Sequence, residues 1–145
     1  MSSQLIEEVI QRLSLPDANE QLEALLVAEQ ILTAARADGV FPPESVDELK
    51  RTLVAFSLSP DVDRDVAAST VWVLGKAFDE TLVDFFIGML RKARATDNSP
   101  MLFQALLALD NVGAIRLPDG IMNIQDAKRN EGIADDYLNS GAKHS

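Results

Sequence analysis

Along the chain from Leu5 to Leu109, apolar residues return every three or four positions. That spacing places them on one side of an α-helix and is incompatible with the alternation of a β-strand. Leu5, Ile6, Val9, Ile10 and Leu13 form a first stripe. Leu22, Leu25, Leu26, Ile31, Leu32 and Ala35 form a second. Gly39 and Pro42-Pro43 end the second helix. A third is expected from Ser45, with Ser45 and Glu48 as a capping box and Val46, Leu49, Leu53 and Phe56 inward. Ser59-Pro60 is expected to open a fourth helix, with serine as cap and proline at its first position. From Val66 to Leu74 that helix is apolar on almost every side, so it should be the most buried element, with Trp72 in the core. Asp79 is expected to cap a fifth helix whose inner face is Leu82, Phe85, Phe86, Met89, Leu90 and Ala93. Ser99-Pro100 opens a sixth, running to Asn111.

Helix starts recur at long range. Ser59-Pro60 and Ser99-Pro100 are identical and 40 residues apart, and Pro16 lies 44 residues before Pro60. A period near 40 residues with two helices per unit is the mark of an α-solenoid. The expected fold is therefore all-α, with five to seven helices in stacked antiparallel pairs. A closed helical bundle satisfies the same stripes. The expected organisation is one helical-repeat domain over residues 1–125. It has a cap helix near 3–14 and units near 16–58, 59–95 and 98–125, followed by a polar, partly disordered tail over 126–145.

Asp61-Val-Asp-Arg-Asp-Val-Ala-Ala-Ser-Thr-Val-Trp-Val-Leu-Gly-Lys76, followed by Asp79-Glu-Thr-Leu-Val-Asp-Phe-Phe-Ile-Gly-Met-Leu90, resembles a HEAT-type repeat. Ala67-Ala68, Leu74-Gly75, Asp79 and Leu90 occupy the places of that family's paired alanines, Leu-Gly turn, acidic residue and second leucine-rich helix. Ala105 to Gly113 partly repeats the first helix. The tetratricopeptide pattern fits less well, because Trp72-Val-Leu-Gly75 has one residue too few between Trp and Leu. Resemblance to HEAT proteins implies an α-solenoid that recognises other proteins on a curved surface.

Composition narrows the chemistry. The 145 residues include 23 acidic and 13 basic side chains, a net charge of −10. Phosphate surfaces and anionic lipids call for clustered Lys and Arg, so neither nucleic acid nor membrane is the expected partner. The longest candidate apolar stretch, residues 66–74, contains Ser69 and Thr70 and falls well short of the roughly 20 residues a membrane helix requires, and the N-terminus carries no secretory pattern. A cytoplasmic location is expected. Cysteine is absent, which removes disulfides, thiolate nucleophiles and cysteine metal sites. The single histidine, His144, is the penultimate residue, so no histidine-centred triad or metal site is expected.

Acidic clusters have ready alternatives to catalysis. Asp61-Val-Asp-Arg-Asp65 imitates the start of a calcium loop, but Val66 stands where glycine is needed and Trp72 where a bidentate glutamate is needed. Glu7-Glu8, Asp47-Glu48, Asp79-Glu80 and Asp135-Asp136 sit largely at helix starts, where the helix dipole favours negative charge. No set of acid, base and nucleophile converges, so no catalytic residue, cofactor or metal is expected.

The expected function is a non-enzymatic binding module whose acidic face takes a protein with a basic surface. Its most concrete form is an immunity- or inhibitor-type protein that neutralises a basic toxin or nuclease. Asp61, Asp63, Asp79, Glu80 and Asp84 are the expected partner-binding residues. An adaptor subunit of a larger assembly is the alternative. In that case Met101, Leu102, Leu106 and Leu109 would be uncovered, unless Ile115, Leu117 and Ile121 cover them. A HEAT-like enzyme is a further alternative, recognisable by a deep pocket holding a carboxylate with a raised pKa.

Overall fold

The computed structural model describes residues 2–117 and 126–141. Among these residues it is all-α, with seven helices and no strand. The helices are α1 (Ser2–Leu13), α2 (Ala18–Asp38), α3 (Pro43–Leu58), α4 (Arg64–Gly75), α5 (Val83–Ala95), α6 (Ser99–Asn111) and α7 (Ala127–Gly141). The contacts divide the chain into two compact units, Met1–Ala77 and Phe78–Ser145. None of these helices is long and apolar enough to cross a membrane.

In the first unit α1 packs on α2, and α3 on α4. The two hairpins meet first helix on first and second on second, α1 against α3 and α2 against α4, while α2 meets α3 only slightly. The grouping 16–58, which joins α2 to α3, is therefore shifted by one helix. Short turns at residues 14–17 and 59–63 fold each hairpin back on itself, and this decides which helices become partners. The core follows the expected stripes in part: Leu5, Leu22 and Leu26 are exposed and Phe56 is half-buried. Ile6, Val9 and Leu13 of α1 are buried, as are Leu25, Ile31 and Leu32 of α2 and Val46, Leu49 and Leu53 of α3. In α4 eight of twelve residues are buried, Val66, Val71, Val73 and Leu74 among them. Thr70 is fully buried and its hydroxyl donates to the Val66 carbonyl at 2.8 Å, so its polar group has a partner inside the helix. Trp72 is half-buried rather than part of the core, with the Lys76 ammonium 5.4 Å from its ring centre.

Helix starts depart from expectation for identifiable reasons. α3 begins at Pro43, two residues before Ser45. Proline's fixed φ suits the first helical position, and the Pro42 carbonyl accepts from Ser45 and Val46 at 3.0 and 3.1 Å. The Ser45–Glu48 box is thus not the helix start. α4 begins at Arg64 rather than at Ser59-Pro60. Ser59 instead closes α3, with its N–H donating to the Phe56 carbonyl. Pro60 lies inside a turn closed by the Val62 N–H on the Ser59 carbonyl at 3.3 Å, where its φ is equally favourable. Asp63 takes over as the cap.

In the second unit Asp79 caps a 3₁₀ turn, Glu80–Leu82, that precedes α5. α5 pairs most extensively with α6, and the unit boundary at Ala77/Phe78 falls inside the stretch 61–90 that carries the repeat resemblance. Asn98 joins the two helices. Its N–H donates to the Ala93 carbonyl at 2.9 Å, with Asp97 in the left-handed conformation (φ 53°), which closes α5. Its side chain accepts from Met101 N–H at 3.2 Å, which starts α6 one residue before Ser99. α6 ends in the same kind of closure, with Gly113 at φ 76° and bonds from Gly113 to Asp110 and from Ala114 to Leu109.

The tail is the largest departure. Residues 127–141 form α7, which packs on both α5 and α6. Ala134 and Asn130 are buried, and Tyr137 and Leu138 are half-buried. Arg94, in the last turn of α5, binds Asp135 with two parallel bonds, Nε–Oδ1 at 2.9 Å and Nη2–Oδ2 at 3.2 Å. Glu131 lies 3.7 Å from the same guanidinium. These carboxylates, Asp135 foremost, raise the Arg94 pKa further above its ordinary value. Met101, Leu102, Leu106 and Leu109 are consequently buried, not uncovered. Leu117 is buried and Ile115 half-buried; Ile121 lies outside the described residues.

Burial raises the Tyr137 pKa above the usual 10.0. The folded chain therefore keeps this proton after the unfolded chain has lost it. The resulting stability is complete below pH 10 and fades as pH rises through the folded value. Tyr137 is the sole tyrosine, so absorbance at 295 nm reads it alone. The expected midpoint lies above 10 in buffer and returns to about 10 in denaturant; a midpoint unchanged by denaturant would show α7 undocked. Within the first unit, Leu49→Ala and Leu53→Ala should each cost about 2 to 5 kcal/mol in urea unfolding, the range for emptying a buried leucine site.

Candidate functional site

The turns that close the two hairpins of the first unit line a groove of about 480 Å³. Leu13, Leu15 and Pro16 come from the end of α1 and the turn after it, and Phe56 and Val62 from the end of α3 and its turn. Leu15 is 45% exposed, although it belongs to this apolar lining. Its N–H continues the end of α1 by donating to the Arg12 carbonyl at 3.2 Å. On the other side Arg12 spans α1 and α2, binding Glu20 at 3.2 Å and Glu23 at 2.7 Å.

The polar lining comprises Gln21, Asp61 and Asp63 together with the hydroxyls of Ser14 and Ser59. Gln21 is only 9% exposed. Its Nε2 donates to the Leu15 carbonyl at 2.7 Å, which leaves Oε1 without a hydrogen bond among the described residues. Asp61 is exposed and its carboxylate has no ion pair among the described residues. Asp63 Oδ1 accepts from Asp65 N–H at 2.9 Å as the α4 cap, and its second oxygen adds to the negative edge. Val62 stands between the two carboxylates. Spacing alone marked Asp61 and Asp63. The walls carry no local signal, because Leu15-Pro16 reads locally as a helix end and only the fold brings it to the same groove as Val62.

The other expected partner residues lie in the second unit. Asp79 Oδ1 accepts from Thr81 N–H at 2.9 Å and from Thr81 Oγ1 at 2.7 Å, which fixes it in the 3₁₀ turn. Glu80 and Asp84 are exposed beside it, on the turn and on the first turn of α5. The five carboxylates thus form two local groups, Asp61 with Asp63 and Asp79 with Glu80 and Asp84, one in each unit. Among the described residues no three His, Cys, Asp or Glu side chains are placed to hold a metal ion. No protein-family model matches the chain, and no characterised protein or solved structure matches it.

Asp63 has a structural duty that Asp61 lacks. Asp63→Ala should lower the stability of the first unit by about 1 kcal/mol, as for other helix caps, and Asp63→Asn should restore most of it. Asp61→Ala should leave thermal unfolding nearly unchanged. Equal losses for Asp61→Ala and Asp63→Ala would contradict the assignment of the cap.

Proposed function

We propose that the chain is a non-enzymatic protein-binding module whose acidic surface receives a basic protein partner. One observation carries this reading. Among the described residues the buried polar side chains are Gln21, Ser57, Thr70 and Asn130, so no described charged side chain is buried. That outward charge is strongly negative and unevenly shared. Residues 1–77 hold 13 acidic and 6 basic side chains, a net of −7, and residues 78–145 carry the remaining −3. A field of one sign speeds the approach of an oppositely charged partner and rejects others.

Its most concrete form is an immunity- or inhibitor-type protein that covers a basic toxin or nuclease. A HEAT-like arrangement accords with this, because first-on-first and second-on-second packing of α1–α4 is how stacked helix pairs meet. A second reading, an adaptor subunit, draws on α2. Leu22 and Leu26 lie one turn apart on that helix and are 38% and 57% exposed, an apolar pair that a larger assembly could cover.

Affinity capture from the source organism's lysate at low and high salt, read by mass spectrometry, separates the readings. A single basic protein held at low salt and shed at high salt is the expected result. A partner held equally at both salts favours the adaptor, and an acidic partner contradicts the proposal. With the partner in hand, replacing both Asp79 and Glu80 by lysine should slow association and flatten its salt dependence. Unchanged kinetics would remove the second unit's acidic group from the interface.

A further inference from the structure

We infer that the groove between the turns at residues 14–17 and 59–63 is the docking point for a partner segment that carries an arginine or lysine beside a large apolar residue. The inference deepens the proposed function and rests on its premise that the partner is basic.

Three properties of the groove select that chemistry. Its lining is mixed, with Leu13, Leu15, Pro16, Phe56 and Val62 as the apolar part, and Leu15 is left 45% exposed to water. A side chain seated against Leu15 and Val62 would remove that surface from water, the main source of affinity at such a contact. The groove also offers acceptors, alongside the hydroxyls of Ser14 and Ser59. Gln21 Oε1 is held in a nearly buried side chain whose amide nitrogen is already committed to the Leu15 carbonyl. That oxygen faces solvent and can accept from a donor outside the chain. Finally, Asp61 and Asp63 set negative charge on the rim, and Asp61 has no cation of its own among the described residues. A guanidinium has five donors on a flat fork, enough to meet a carboxylate and an amide oxygen together, and its aliphatic stem can lie along Val62. The absence of a metal-competent cluster here fits an organic cation rather than an ion. About 480 Å³ holds one or two side chains and excludes a whole folded domain.

The test titrates the full ¹⁵N-labelled chain with N-acetyl-arginyl-leucinamide, with N-acetyl-glutamyl-leucinamide and with N-acetyl-leucinamide. The expected result is amide shifts confined to residues around 13–21 and 56–63, large for the arginyl probe and absent for the glutamyl one. Asp61→Asn, which replaces an exposed carboxylate by a neutral group of the same shape, should weaken the arginyl probe by about twofold to fivefold. Leu15→Ser should weaken it further without changing the fold. Equal binding of all three probes would make the groove a plain apolar pocket and overturn the inference, as would shifts elsewhere in the chain. Failure here and failure of the proposed function are distinguishable. A captured basic partner whose salt-sensitive binding survives Asp61→Asn and Leu15→Ser retains the function and removes this groove from it. Groove-confined binding of the arginyl probe, with no basic partner captured, keeps the site and removes that function.

Discussion

The burial of α4 organises the first unit. Val66, Val71, Val73 and Leu74 project to different sides of one helix, so a single amphipathic neighbour cannot cover them. α2 and α3 pack against α4, and α1 completes the set by packing on both α2 and α3. Burying this centre removes apolar surface from water on several sides at once, which is the dominant favourable term in folding. The only polar side chain buried in α4, Thr70, is satisfied within the helix, so the centre imposes no polar demand on its neighbours.

The distribution of charge follows from that arrangement. With the interior given over to apolar side chains, the acidic residues fall on outer faces, caps and turns. Some are spent on architecture: Asp17 accepts from Asn19 N–H, Asp63 from Asp65 and Asp79 from Thr81. Others, such as Asp61, Glu80 and Asp84, hold no such structural bond and remain exposed. Turns are where the helices stop covering each other. A groove with a partly apolar lining and a negative rim therefore opens at the end of the hairpins.

Much of the helical content was legible, because stripes at three- and four-residue spacing have one simple solution. Val46, Leu49 and Leu53 point inward as their spacing requires, and Gly39 ends α2 in the left-handed conformation. Helix starts were less legible, because several residues compete for one cap. Ser59 and Asp63 are both good caps, and the turn around Pro60 decided for Asp63. α7 was illegible for a different reason. Its inner face is made of Asn130, Ala134 and half-buried Tyr137, small or polar residues that give little periodic signal. Its anchor, Arg94 to Asp135, spans 41 residues of sequence. Of the candidate site, the acids could be read from spacing. The walls that join them to Leu15 could not, since they come from two distant turns.

The central claim is that outward negative charge governs recognition. The most direct measurement is the association rate constant of the intact chain with its captured partner across a series of salt concentrations. The account predicts a steep fall of the association rate as salt rises, with a dissociation rate that changes far less. An association rate independent of salt would contradict it, and would leave the acidity of this chain without a part in finding its partner.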